Sequence, residues 1–264
     1  MRAKSTIVFL LCATLIVCAS TQQKTQRAQA KDPKYQYNMG LVYLNQSNMD
    51  AKNIDVAINY FVKALALNTQ YYLAWNAIGI AQSLKGNLQE SAKAYQRCLE
   101  IYPDFSEARN NLGIIYSELG QLDKAEVEFQ KVIADLAYQT REVAYCNLAR
   151  LYLGQNRLDL AYDSVQKALR IKPRLAMAHN LKGMILDKED KPEEAVASYE
   201  QAVKIVPEDI LFNYNLAVAY YNMKEPAKAK SLFLKISPHV VDPEMKVKVS
   251  QYLKDLGERE PAQP

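Results

Sequence analysis

The chain has 264 residues, 49% of them hydrophobic and 23% charged, enough apolar content to bury a sizeable core. Only 8 glycines and 10 prolines punctuate it, which argues against a β-rich chain with many tight turns and for long helices. The net charge of +4 arises from lysines and arginines that alternate with acids along helix faces. No basic stripe interleaved with aromatics occurs, so nucleic acid is not the expected partner.

Residues able to do chemistry are sparse. His179 and His239 are the only histidines, and each stands alone in sequence. There is no pair at metal-ligand spacing, no nucleophile beside a base and no phosphate-binding glycine loop. No catalytic residue, metal site or cofactor is expected. His179 is expected to pack in the core. Of the four cysteines, Cys12 and Cys18 lie near the start, while Cys98 and Cys146 are separated by more than one repeat. The latter two read as small buried side chains rather than a disulfide or a ligand pair.

In chain order, the first feature is a leader. Arg2 and Lys4 precede an apolar run, Ile7 to Cys18, and a polar Gln/Thr/Lys stretch follows from Ser20. A basic start, an apolar middle and a processing site are the parts of a secretory signal. The run is shorter than the roughly 20 apolar residues that span a bilayer. Leu15-Ile16-Val17-Cys18 resembles a bacterial lipobox, in which Cys18 would carry the lipid; Val17-Cys18-Ala19 also fits ordinary cleavage after Ala19. Residues 1–18 are thus expected to form a signal peptide and 19–33 a polar tether with too little apolar content to fold alone.

From Lys34 the chain repeats. A small residue recurs at Gly40, Gly79, Gly113, Ala149, Gly183 and Ala217, at intervals of 39, 34, 36, 34 and 34. Its expected role is to let two helix backbones approach. A second small residue recurs at Ala57, Ser91, Ala125, Ala161, Ala195 and Ala229, followed four positions later by Phe61, Tyr95, Phe129, Val165, Tyr199 and Phe233. Spacing of four puts both on one helical face. Pro103, Pro173 and Pro207 end the second helix of three repeats.

Within this pattern Leu112-Gly113, Tyr116, Gly120, Ala125 and Phe129 resemble the tetratricopeptide repeat, and the resemblance extends over roughly 34–241. The expected fold is all-α: a right-handed α-solenoid of six helix hairpins, a capping helix over 242–257 and a disordered tail over 258–264. Three irregularities stand out. Repeat 1 has extra residues around Ser47 to Asn53. Repeat 5, with Leu181-Lys182-Gly183, reads as off register by one. The junction after repeat 3 is two residues longer and lacks proline.

A helical solenoid offers a concave face built from the first helices of its repeats. There an asparagine recurs before an apolar anchor, at Asn38, Asn111, Asn147, Asn180 and Asn215, with Asn76 one position earlier in repeat 2. Asn carries both a donor and an acceptor, so this ladder either pairs with the backbone of an extended peptide or bonds within its own hairpin. Tyr37, Tyr214 and Tyr221 are further groove candidates, beside Leu41, Ile80, Ile114, Met184 and Val218. The carboxylate clamp of chaperone-docking repeats is not reproduced. The matching positions hold Tyr37, Leu41, Ala77, Glu107 and Asn111, of which only Asn111 agrees, and Glu107 would repel a carboxylate.

The junction from Asp135 through Tyr138 and Arg141 to Asn147-Leu148-Ala149 resembles the central junction of the type IV pilus pilotins. The resemblance implies a repeat lipoprotein on the periplasmic face of the outer membrane, lipid-anchored through Cys18. It also implies secretin subunits as the protein client and a role in assembling the pilus-exit ring. The other readings are a soluble periplasmic protein and a generic exported adaptor in envelope assembly or cell-wall synthesis.

Overall fold

The computed structural model describes residues 29–45 and 50–258. The expected signal peptide, Cys18 with its lipid, the tether as far as residue 28, residues 46–49 of the repeat 1 insertion and the tail from 259 lie outside the described residues.

Thirteen α-helices and one short 3-10 turn make up the described chain, and no strand occurs among the described residues. They are α1 (Pro33–Leu44), α2 (Ala51–Leu67), α3 (Tyr72–Leu84), α4 (Leu88–Ile101), α5 (Ser106–Glu118), α6 (Leu122–Ala134), α7 (Arg141–Gly154), α8 (Leu158–Ile171), α9 (Ala176–Lys188), α10 (Pro192–Ile205), α11 (Ile210–Asn222), α12 (Pro226–Ile236) and α13 (Pro243–Glu258). Odd-numbered helices from α1 to α11 are the first helices of the hairpins and even-numbered ones the second. The chain divides into two compact bodies, Met1–Glu128 and Phe129–Pro264, so the division falls within α6. None of the described helices is long and apolar enough to cross a membrane.

Local sequence explains where the helices begin and end. Asp32, Asp50 and Asp209 accept backbone N–H bonds from Lys34, Asn53 and Phe212, capping α1, α2 and α11. Pro33, Pro192 and Pro226 occupy the first helical position, where no donor is needed. α4, α8 and α10 each stop two residues before Pro103, Pro173 and Pro207, because proline disfavours helical geometry in the residue that precedes it.

The turn inside each of hairpins 2 to 6 contains one left-handed residue: Gly86, Gly120, Asn156, Asp190 and Lys224, with φ between 58° and 75°. The next residue donates its N–H to a carbonyl five positions back, from Asn87 to Gln82, Gln121 to Tyr116, Arg157 to Tyr152, Lys191 to Leu186 and Glu225 to Tyr220. These are Schellman closures, and they satisfy carbonyls that the helix end would otherwise leave open.

The anchors of the second helices are buried throughout. Ala57, Ser91, Ala125, Ala161, Ala195 and Ala229 are inaccessible, as are Phe61, Val165 and Phe233, with Tyr95, Phe129 and Tyr199 nearly so. Ser91 keeps its hydroxyl satisfied by donating to the Gly79 carbonyl at 2.7 Å. The small residue of the first helix has a different purpose from the one expected. A Cβ on Gly79 would lie 2.6 Å from the Tyr95 ring, one on Gly183 2.6 Å from the Tyr199 ring, and one on Gly40 would overlap the Phe61 ring. These glycines make room for the partner helix's aromatic ring, not for its backbone. In repeat 4 the small residue is Ala149 and the second-helix anchor Val165, while repeat 6 has Ala217 with Phe233.

Repeat 5 is not off register. Gly183 stands seven residues after the start of α9, as Gly79 does in α3, and takes its tyrosine ring at the same distance. Lys182 occupies the position where other repeats carry an apolar residue. It is half-buried, with its amine over the Tyr162 ring, 5.8 Å from the centroid. Its aliphatic stem covers the apolar surface and its charge reaches outward.

In the first body, Phe61, Ala64, Ala74 and Ala77 lie at the centre of an apolar cluster running from Leu44 to Ala94. In the second, Tyr199, Leu216, Phe233, Val249 and Leu256 share a cluster that takes in α13. The junction after α6 covers 135–140. Asp135 accepts the Ala137 N–H at 3.0 Å and its carbonyl accepts from Tyr138, forming a local turn in place of a proline.

Candidate peptide-binding face

Within the first body the relevant surface is carried by α1, α3 and α5. Tyr37 of α1 lies edge-on to Tyr71, the residue before α3, with ring centroids 5.4 Å apart. Tyr72 opens α3 and packs against Tyr102 and Phe105 at 5.0 and 5.3 Å. On the next helix Glu107 is exposed, and its Oε1 accepts a long bond of 3.4 Å from Asn76 Nδ2. Asn76 is 5% exposed and its Oδ1 has no partner.

The electrostatics tie these groups together. The Tyr37 hydroxyl is raised above the usual phenol range by burial first, then by Tyr71, Glu107 and Tyr72. Tyr95, packed over Gly79, is raised by burial, opposed by hydrogen bonds from Ser91 and Asn111. Asn111 is half-buried beside that hydroxyl, whereas Asn38 of α1 is exposed. The three asparagines of this body therefore occupy three different environments.

In the second body the corresponding helices are α7, α9 and α11. Asn147 and Asn180 are buried and Asn215 half-buried. Asn215 Nδ2 donates to Asn180 Oδ1 at 2.9 Å, and Asn180 Nδ2 lies 3.6 Å from the Met184 sulfur. Both Asn76 and Asn180 sit three residues before their glycine, while Asn38, Asn111, Asn147 and Asn215 sit two before the small residue. The asparagines thus fall at two register positions; Asn76 and Asn215 bond to the neighbouring first helix, whereas Asn180 also approaches a sulfur on its own helix.

Tyr214 and Tyr221 do not stand free on this face. Tyr252 of α13 meets them at 6.5 and 4.9 Å and stacks on Phe233 at 4.8 Å with an interplanar angle of 9°. The last helix covers the positions expected to line the groove there. Its Tyr252 ring closes the aromatic seam of the hairpin formed by α11 and α12.

His179 is likewise not a core residue. It is half-buried, and its Nε2 donates to the Pro173 carbonyl at 2.9 Å. Arg109 and Asn213 make the same reach to the carbonyls of Pro103 and Pro207, the latter at 2.8 Å. Sequence reasoning missed these residues, yet a signal was present: each lies six residues after a helix-ending proline. It also missed Glu142, at the start of α7, which is 4% exposed, has an unpartnered Oε2 and pairs through Oε1 with Lys172 at 3.8 Å.

Cys98 and Cys146 are free and buried. Burial pushes both thiols up to about 12.

Four family models described as tetratricopeptide or TPR repeats match residues 72–105, 94–127, 143–175 and 188–224. Among solved structures the chain is similar to PilF of Pseudomonas aeruginosa, at 17% identity and a TM-score of 0.68, covering 86% of this chain and 99% of that one. It is also similar to PilW, described as a widely conserved type IV pilus biogenesis factor, at 15% identity and a TM-score of 0.71, covering 85% and 97%. A curated relative, the human protein O-mannosyl-transferase TMTC3, is 27% identical over 182 residues, 64% of this chain and 20% of that protein. The chain therefore spans about a fifth of the length of that relative. Likenesses at these identities carry the fold rather than an activity. The chain is built of tetratricopeptide repeats, arranged as all-α helix hairpins.

Proposed function

We propose that the chain is a non-enzymatic scaffold for type IV pilus biogenesis. In this reading it is held at the periplasmic face of the outer membrane by a lipid on Cys18 and promotes delivery and assembly of secretin subunits. The observation that carries the reading is architectural. The chain matches PilF and PilW over 99% and 97% of their lengths, so each of those proteins is matched as a whole and not as a segment of a longer chain. The junction over 135–140, two residues longer than the other inter-repeat links, supports it from the sequence side. The alternative is a generic exported adaptor in envelope assembly or cell-wall synthesis.

Two experiments test the proposal. Deletion of the protein followed by electrophoresis of unheated membranes should show secretin subunits without multimers. Normal multimers in the outer membrane would leave the adaptor reading. Metabolic labelling with a fatty acid should mark the wild type and not Cys18→Ala; equal labelling would remove Cys18 as the anchor.

A further inference from the structure

The surface of α1, α3 and α5 carries, among tyrosines, a carboxylate that forms no ion pair among the described residues. α3 has no charged residue, α1 has only Lys34 and α5 has Glu107, Arg109 and Glu118. Arg109 is committed: one guanidinium nitrogen pairs with Glu128 at 2.7 Å and another reaches the Pro103 carbonyl. Among the described residues Glu107 forms no ion pair, and its one hydrogen bond is the long bond from Asn76. Beside it, the Oδ1 of the nearly inaccessible Asn76 is a second acceptor without a donor. Tyr37, Tyr71 and Tyr72 are all half-buried.

We infer that this face of the first body binds an extended client segment through a lysine or arginine side chain, held by the Glu107 carboxylate and the rings of Tyr37, Tyr71 and Tyr72. The inference rests on the reading of the chain as a protein-binding scaffold and adds the chemistry of what is bound. A cation is the occupant that the charge demands. An exposed carboxylate on a face whose only other charges are committed or lie at helix ends repels acidic segments and attracts basic ones. Tyrosine faces add cation–π attraction, and their hydroxyls accept hydrogen bonds from ammonium or guanidinium groups.

The test is to pan a random nonapeptide library, with peptides acetylated and amidated when resynthesised, on the full-length chain. Selected peptides should carry Lys or Arg above the library frequency. The tightest of them should bind Glu107→Gln about tenfold more weakly, the scale of a lost charge-assisted hydrogen bond. Glu107→Lys should select acidic peptides instead. Because Glu107 is exposed, both variants should keep the wild-type circular dichroism spectrum and melting temperature. Selected peptides without basic enrichment, or equal affinity for wild type and Glu107→Gln, would overturn the inference and leave the scaffold reading intact. Failure to select any peptide would overturn both.

Discussion

His179 Nε2 donates to the carbonyl of Pro173 across 2.9 Å, joining the first turns of α9 to the chain end that α8 leaves behind. The bond exists because proline stops the preceding helix and its carbonyl then has no helical donor. Asn213 does the same for Pro207 and also donates to the Asp209 carbonyl at 2.7 Å, so one fully buried amide holds two carbonyls. The two staples should differ in worth because burial removes the competing water. Asn213→Ala should cost about 2–3 kcal/mol, and the half-exposed His179→Ala below about 1 kcal/mol, in urea unfolding. Equal losses would mean that burial does not set the value of these bonds.

The left-handed turn residues offer a cleaner separation of backbone from packing. Lys224 and Asp190 hold φ of 59° and 58°, where a side chain crowds its own backbone. Lys224→Gly should stabilise the fold by about 0.5–1 kcal/mol, since relief of that crowding exceeds the extra entropy of glycine in the unfolded chain. Asn156→Gly should change little, because asparagine tolerates this region. In the reverse direction a Cβ at Gly86 meets no atom within 4 Å, so the loss expected for Gly86→Ala, about 1 kcal/mol, is a backbone cost alone. Thermal melts of the three variants would establish the order.

The ring-over-glycine contact predicts a coupled pair. Gly183→Ala places a methyl group 2.6 Å from the Tyr199 ring, and overpacking of this kind costs about 1–3 kcal/mol. Repeat 4 combines Ala149 with Val165, and both are inaccessible. Adding Tyr199→Val to Gly183→Ala should therefore cost less than the sum of the two single changes. Tyr199→Val alone loses the ring and its 2.6 Å hydroxyl bond to Asp187. A double-mutant cycle reads the coupling directly, and strict additivity would show that the methyl and the ring do not compete for the same space.

Legibility in the sequence follows from what repeats. The anchors at Ala57, Phe61 and Ala64 and their counterparts recur at a fixed period, and each proves inaccessible or nearly so, because every hairpin solves the same packing problem. Pro103, Pro173 and Pro207 were equally readable as helix ends. Period alone did not show that the Phe61, Tyr95 and Tyr199 rings turn onto glycines, since identical spacing serves either a backbone or a ring contact. Nor did it give Asn76 and Asn180 their shared register, three residues before the glycine, because counting from the neighbouring Leu makes Asn180 equivalent to Asn38. Least readable was the engagement of Tyr214 and Tyr221 by Tyr252, a contact made by a helix that lies outside the six hairpins. The candidate face was legible as a surface, but its charge asymmetry at Glu107 became visible only once Arg109 was seen to be paired with Glu128.

The two buried thiols supply a pH signature with a definite sign. Cys98 and Cys146 are inaccessible, and burial holds both at about 12 against an ordinary value near 9. Well below pH 9 each is neutral in both the folded and the unfolded chain and contributes no slope. Above it the unfolded chain releases the proton while the folded chain keeps it, so stability falls as pH rises from about 9 toward about 12. Tyr95 and Tyr199, raised in the same direction, add to the fall at higher pH. Urea titrations at pH 8, 9 and 10 should show this decline, and the combined Cys98→Ala and Cys146→Ala variant should decline less between pH 8 and 10. In parallel, an aromatic disulfide reagent at pH 8 should leave both native thiols unlabelled and react with them once urea unfolds the chain. Rapid labelling of the native protein would show that one of the two repeats opens far more readily than its packing implies.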